Sequence, residues 1–129
     1  MLELPPNADE ETTVKYLASP YSHEDPAIRA FRFEAAVQTA ANIIMRGIPV
    51  VSPIAHSHYI FVTRPETGSD FEAWREVDET LLLACDEMWI LDLPGWNVSN
   101  GIREEAKIAL ANGMPVKLVD RDGNIVEEV

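Results

Sequence analysis

The chain has 129 residues, enough for one domain of ordinary size and too few for two. Apolar residues make up 47% and charged residues 25%, the balance of a folded protein and not of a disordered one. Ten Lys and Arg against 22 Asp and Glu give a net charge of −12, which repels phosphate backbones and anionic lipid and argues against nucleic-acid polymers and membranes as partners.

Cys85 is the only cysteine, so an intrachain disulfide and a cysteine-rich metal site are both excluded. No basic segment precedes an apolar one at the N-terminus, and no apolar run nears the roughly 18 residues of a membrane span. A cytoplasmic enzyme or binding domain is the expectation.

Residues 1–12 are acidic, contain two prolines and lack periodicity, which predicts a flexible leader before a single domain over 13–129. A β-prone run at 13–18 ends at Ser19-Pro20. Asp25-Pro26 then offers an N-cap with proline in the first turn, and Phe33, Ala36, Val37, Ala40 and Ile44 predict the inner face of a helix ending at Gly47. A buried-type strand covers 48–52, and the polar stretch 53–68 reads as a long loop over a site. Ser69-Asp70-Phe71-Glu72 fits a capping box opening a helix to about Ala84. Residues 87–91 form the third strand, 94–97 its exit turn, and 100–112 a helix closed by Gly113. Residues 115–119 form a fourth strand, with Asp122-Gly123 turning toward a fifth. This alternation predicts a flavodoxin-like or Rossmann-like three-layer α/β sandwich around a parallel sheet of four or five strands.

Two carboxylates fall on the wrong faces of their helices. At about 100° per residue, Asp78 lies on one stripe with Phe71, Trp74, Leu81, Leu82 and Cys85. Glu105 likewise lies with Ile102, Ala106 and Ala109. Burying an ionised carboxylate costs several kcal/mol unless it is paired or hydrogen-bonded. Each either caps a loop or pairs with Arg29, Arg32 or Arg103, or the two form a functional pair.

Location favours the pair. Ligands of open parallel sheets bind beyond the strands' C-terminal ends, the edge to which residues 19–22, 53–58 and 92–100 belong. Glu105 is near the start of its helix, where Ser99, Asn100 and Gly101 offer donors and close backbone approach to an anion. Two carboxylates around a cleft suit glycosidic cleavage, one acting at the anomeric carbon and one handling the leaving group's proton.

Tyr16-Leu17-Ala18-Ser19-Pro20, Trp74-x-x-x-Asp78, Asp86-Glu87 before Leu91-Asp92, and Ser99-x-Gly101-x-x-x-Glu105-x-x-x-Ala109 before Gly113-x-Pro115-Val116 together resemble the nucleoside 2-deoxyribosyltransferase superfamily over about residues 14–119. The resemblance is nearest to a small bacterial and phage branch. It implies that Glu105 is the nucleophile forming a covalent 2-deoxyribosyl intermediate, that Asp78 handles the departing base's proton, and that Tyr16 orients Glu105. It also implies a homo-oligomer and a nucleoside or nucleotide as the small-molecule partner, with no cofactor. Where the transferases usually carry an aspartate six residues before the nucleophile, this chain has Ser99. In that it is similar to deoxynucleoside 5′-monophosphate N-glycosidases, and a serine at a helix N-terminus suits a phosphate better than an aspartate does.

Ser19, Tyr21, Ser22, His58 and Trp96 are further candidates for substrate contact. Asp92 either touches the sugar or caps the turn after its strand. His56-Ser57-His58 is too weak a spacing to predict a metal, and Trp74 reads as a packing residue. The alternative function is a nucleotide-binding sensor domain that keeps the pocket without turnover. A flavin carrier ranks last, because the Ser/Thr-rich phosphate loop it needs after the first strand is missing.

Overall fold

Residues 13–129 are described by the computed structural model; the leader expected at 1–12 lies outside the described residues. In chain order they form β1 (Lys15–Ala18), α1 (Pro26–Met45), β2 (Val50–Val51), α2 (Pro53–Thr63), α3 (Phe71–Leu83), β3 (Glu87–Leu91), α4 (Asn100–Ala111), β4 (Val116–Val119) and β5 (Ile125–Glu128). The sheet order is β2-β1-β3-β4-β5, with the first four strands parallel. This is the expected three-layer α/β architecture.

The last strand departs from the all-parallel expectation, since β5 runs antiparallel to β4. Asp120 is the cause. Its Oδ1 accepts from the N–H groups of Asp122 and Asn124 at 3.0 and 2.9 Å, and Gly123 takes φ 86°. That closes a tight turn, which can join only antiparallel neighbours.

Local chemistry sets the helix starts. Asp25 Oδ1 accepts from Ala27 N–H at 2.9 Å, ahead of Pro26. Ser99 Oγ accepts from Ile102 N–H at 3.3 Å. At α3 the N-cap is Asp70, which accepts from Ala73 N–H at 2.9 Å, so the capping box read from Ser69 is one residue out of register. The backbone carbonyl of Ser69 instead accepts from the Ser22 hydroxyl at 2.7 Å.

Two further expectations are corrected. The inner face of α1 consists of Ala35, Ala36, Thr39, Ala40 and Ile43, while Ile44 is 56% exposed. Small residues let the helix lie close to the sheet, and Thr39 satisfies its hydroxyl on the Ala35 carbonyl at 2.8 Å. Residues 53–63 are helix, not loop. Ser52 caps α2 through Ala55 N–H at 3.2 Å, and Pro53 occupies the first turn.

Strand alternation divides the core. Tyr16, Ala18, Met88, Ile90, Val116 and Leu118 pack with Leu82, Ile102 and Ala109 on the α3–α4 side. Leu17, Trp89, Leu91 and Val119 pack with Ala35, Ala40 and Ile43 on the α1 side. Leu82 is fully buried and anchors α3, the helix that carries Asp78. Leu82→Ala is expected to cost about 2–5 kcal/mol in urea unfolding; a loss below about 1 kcal/mol would mean that α3 is anchored elsewhere.

Charges close the sheet's N-terminal end. Glu87 on β3 pairs with Lys15 at 3.0 Å and Lys117 at 2.7 Å, bridging three strands. At the opposite end the chain leaves β1 toward β2 and β3 toward β4, in opposite directions across the sheet. Such a reversal opens a crevice beyond the strand C-termini. Among the described residues no helix is long and apolar enough to cross a membrane.

Candidate active site

A cavity of about 430 Å³ occupies that crevice. One wall is the segment after β1, with Ser19, Tyr21 and Ser22, and the opposite wall runs from Gly95 into the start of α4. Phe71, Trp74 and Asp78 of α3 form a third side, and Ile54, Ser57 and Phe61 of α2 cover the top. The Ser22–Ser69 hydrogen bond ties the first wall to the approach to α3. Gly101 lets α4 approach α3 closely, since a Cβ there would lie 3.3 Å from Phe71 Cδ1.

Glu105 points from α4 into this space and is 7% exposed. The hydroxyl of Tyr16, buried in the middle of β1, donates to Glu105 Oε2. Burial pushes the Glu105 carboxyl up to about 8; the Tyr16 hydrogen bond opposes that shift, and the charge of Asp78 adds to it. Asp78 is half-buried on α3, and burial raises it to about 6 against a small opposing pull from His56. Tyr16 is itself pushed well above the usual phenol range, first by burial and then by the charges of Glu105 and Asp78. Three groups from β1, α3 and α4 thus share one electrostatic environment.

Of the other residues singled out in the sequence, Ser19, Tyr21, Ser22, Ser99, Asn100 and Gly101 line the same cavity. His58 does not. Its Nδ1 lies 2.7 Å from the Tyr21 hydroxyl, and its ring stacks on Phe33 at 4.0 Å, so it braces Tyr21 from behind. Burial, aided by the charge of Arg29, holds His58 below the ordinary histidine range. Asp92 is exposed at the end of β3, outside the lining. Trp96 packs against the α3–α4 side of the core, and the tryptophan that reaches the cavity is Trp74. The Trp74 indole N–H donates to the Gly68 carbonyl at 2.8 Å, which fixes the ring plane.

Ile54, Ser57 and Phe61 escape the sequence reading because their helix was read as a loop. Ser52-Pro53 repeats the cap-then-proline signal of Asp25-Pro26 and could have revealed it. Arg32 is singled out only among three arginines, yet it alone of the three lines the cavity. Among the described residues no group of three or more His, Cys, Asp or Glu side chains is placed to hold a metal ion.

Residues 13–121 match the family described as "Domain of unknown function (DUF1937)". The chain belongs to this family. The DUF1937 match extends from β1 through β4 and takes in every cavity residue named above. No curated protein matches the chain.

Proposed function

We propose that this DUF1937 chain cleaves the N-glycosidic bond of a deoxynucleoside or its 5′-monophosphate through a covalent glycosyl ester on Glu105. The observation that carries the reading is the buried Tyr16–Glu105 hydrogen bond facing Asp78 across one cavity. The motif resemblance to the nucleoside 2-deoxyribosyltransferase superfamily supports the same three roles.

In the first step a Glu105 carboxylate oxygen bonds to C1′ as the C1′–N bond breaks. The bonding pair goes to the base nitrogen, and the departing base takes a proton from the Asp78 carboxyl. In the second step water attacks C1′, Asp78 recovers a proton from it, and the ester oxygen leaves as the Glu105 carboxylate. A second base in place of water makes the same enzyme a transferase. Tyr16 O–H holds Glu105 in line and stabilises its anion at both ends of the cycle. Phe71 and Trp74 give the base an apolar wall. A homo-oligomer belongs to this reading too, consistent with Val98 at the cavity lining being left 73% exposed.

The chemistry needs one proton on the pair. Asp78 raised to about 6 and Glu105 raised to about 8 give that state across the neutral range. In the resting protein that proton lies on Glu105, even with the Tyr16 hydrogen bond opposing it, and the productive form, with the anion on Glu105 and the proton on Asp78, arises by passing it across the pair. Below about 6 both carboxyls are protonated and no nucleophile exists; above about 8 both are ionised and no acid remains. kcat/KM is therefore expected to follow a bell with limbs near those values. A rate flat from about pH 5 to 9 would remove the pair from the mechanism.

The deciding experiment is chromatographic detection of free base. Ribo- and deoxyribonucleosides and their 5′-monophosphates are incubated with wild type and Glu105→Gln, with and without an acceptor base. Base released by wild type alone supports the reading. Silence from folded protein across the panel rejects it in favour of a nucleotide-binding domain without turnover.

A further inference from the structure

The stretch His56-Ser57-His58 on α2 takes no part in the carboxylate chemistry, and among the described residues it belongs to no group placed to hold a metal ion. Its three side chains point three ways. His58 turns back from the cavity, its ring stacked on Phe33 of α1 at 4.0 Å and its Nδ1 2.7 Å from the Tyr21 hydroxyl. His56 turns toward α3, where it meets the Trp74 ring edge-on, with centroids 6.4 Å apart and planes at 88°. Ser57, between them, lines the cavity. The two rings hold α2 on either side, which fixes its rotation and aims Ser57 inward.

Ser57 is 7% exposed, and its hydroxyl makes no hydrogen bond among the described residues. A serine inside a helix ordinarily has a partner within reach, the carbonyl four residues back. Thr39 on α1 takes that partner, donating to Ala35 at 2.8 Å. Ser57 has the Pro53 carbonyl at the same spacing and leaves it alone. A hydroxyl more than nine-tenths buried and left open on a cavity implies a partner supplied from outside.

The surroundings of Ser57 define that partner. Ile54 lies one turn before it and Phe61 one turn after, so its hydroxyl interrupts an apolar stripe of α2. Phe71, Trp74 and Asp78 form the facing stripe of α3 at the same spacing. Each stripe extends over two helical turns, about 10 Å. The Trp74 indole N–H is spent on the Gly68 carbonyl at 2.8 Å, so this ring offers a face and no donor. Arg29 backs Phe61, 5.6 Å from its ring centre. Two apolar walls with one open hydroxyl suit a flat heteroaromatic ring system that has a polar edge.

The His56–Trp74 contact sets Ser57 level with Trp74, one turn and so about 6 Å along α3 from Asp78. With the scissile bond beside Asp78, the outer ring of a fused two-ring base reaches that level, and a single ring stops short of it.

We propose that Ser57 reads the base: its hydroxyl hydrogen-bonds the outer ring of a purine held between α2 and α3, and the protein thereby selects purines over pyrimidines. The proposal rests on the glycosidic reading for the placement of the sugar and the scissile bond.

The test measures calorimetric binding to Glu105→Gln, and base release from the Glu105 enzyme, for deoxyadenosine, deoxyguanosine, deoxycytidine and thymidine, each as nucleoside and as 5′-monophosphate. The purines are expected to bind at least about tenfold tighter than the pyrimidines. Adding Ser57→Ala is expected to lower that ratio by about three- to tenfold, the loss of one hydrogen bond, with pyrimidine affinity unchanged. Ser57→Thr keeps the hydroxyl and should keep most of the ratio. Alanine is the better helix former, so Ser57→Ala should unfold no more readily than its parent.

Purines and pyrimidines that bind equally, or a ratio that Ser57→Ala does not move, overturn the proposal. A loss that falls on every base alike also overturns it, because Ser57 would then be a packing residue, and so does an absence of binding across the panel. Base release from purines and pyrimidines at the same rate would leave the glycosidic reading standing and remove the role of Ser57. Ser57-dependent purine binding without base release would do the reverse.

Discussion

Glu105→Gln is expected to eliminate base release and, in the same protein, to raise stability at pH 8. The first half follows from the ester: an amide cannot donate the electron pair that bonds to C1′, so the loss is at least about 10³-fold and reaches the assay background. The second half is a burial argument. Glu105 is 7% exposed, and its carboxyl is raised from 4.5 to about 8. Between those values the folded protein holds a proton that the unfolded chain releases, so stability falls as pH rises through the window. Each pH unit costs about 1.4 kcal/mol. The amide has no such penalty and still accepts from Tyr16. At pH 8 the variant is expected to be more stable by several kcal/mol, a difference that nearly vanishes near pH 4.5, where both states of the wild type are substantially protonated. Thermal or urea unfolding at the two pH values reads it directly. A variant less stable than wild type at pH 8 would mean that the ionised form is well solvated or paired.

Asp78→Asn carries the second-largest effect, and its size depends on the substrate. A general acid contributes typically about 10²–10⁴-fold, and only where the leaving group needs its proton. Natural bases bonded through a poorly stabilised nitrogen anion are expected to lose activity in that range. A deoxyriboside with an activated leaving group, such as a nitrophenolate, is expected to retain most of its rate. The alkaline limb of the pH profile should disappear with the acid that causes it. Equal losses on both substrates would make Asp78 a residue that shapes the cavity and not one that handles the proton.

The carboxylates were legible in the sequence because a charged residue at an apolar helical position is a local anomaly. Asp78 stands among Phe71, Trp74 and Leu82, and Glu105 among Ile102 and Ala109, and the structure brings both to one cavity. The misreadings have equally specific causes. Ile43 and Ile44 are adjacent, so periodicity alone could not choose between them, and the small residues Ala35, Thr39 and Ala40 decide the face by permitting close packing. In α2 only Pro53 and Ser57 are buried, because this helix covers a cavity instead of a core and leaves no clean apolar stripe. The choice between Trp74 and Trp96 turns on where two chain segments meet, which neither residue's neighbours encode.

The sheet separates α1 from α3 and α4 everywhere except at its C-terminal edge, where both layers reach the cavity. Asp78 and Glu105 come from one layer and Arg32 from the other. Substitutions on α1 therefore repack against Leu91 and Val119 without touching the Tyr16 side of the core. On the proposed reading the carboxylate chemistry belongs to one face of this partition alone, so a descendant of this scaffold could vary α1 while inheriting that chemistry intact.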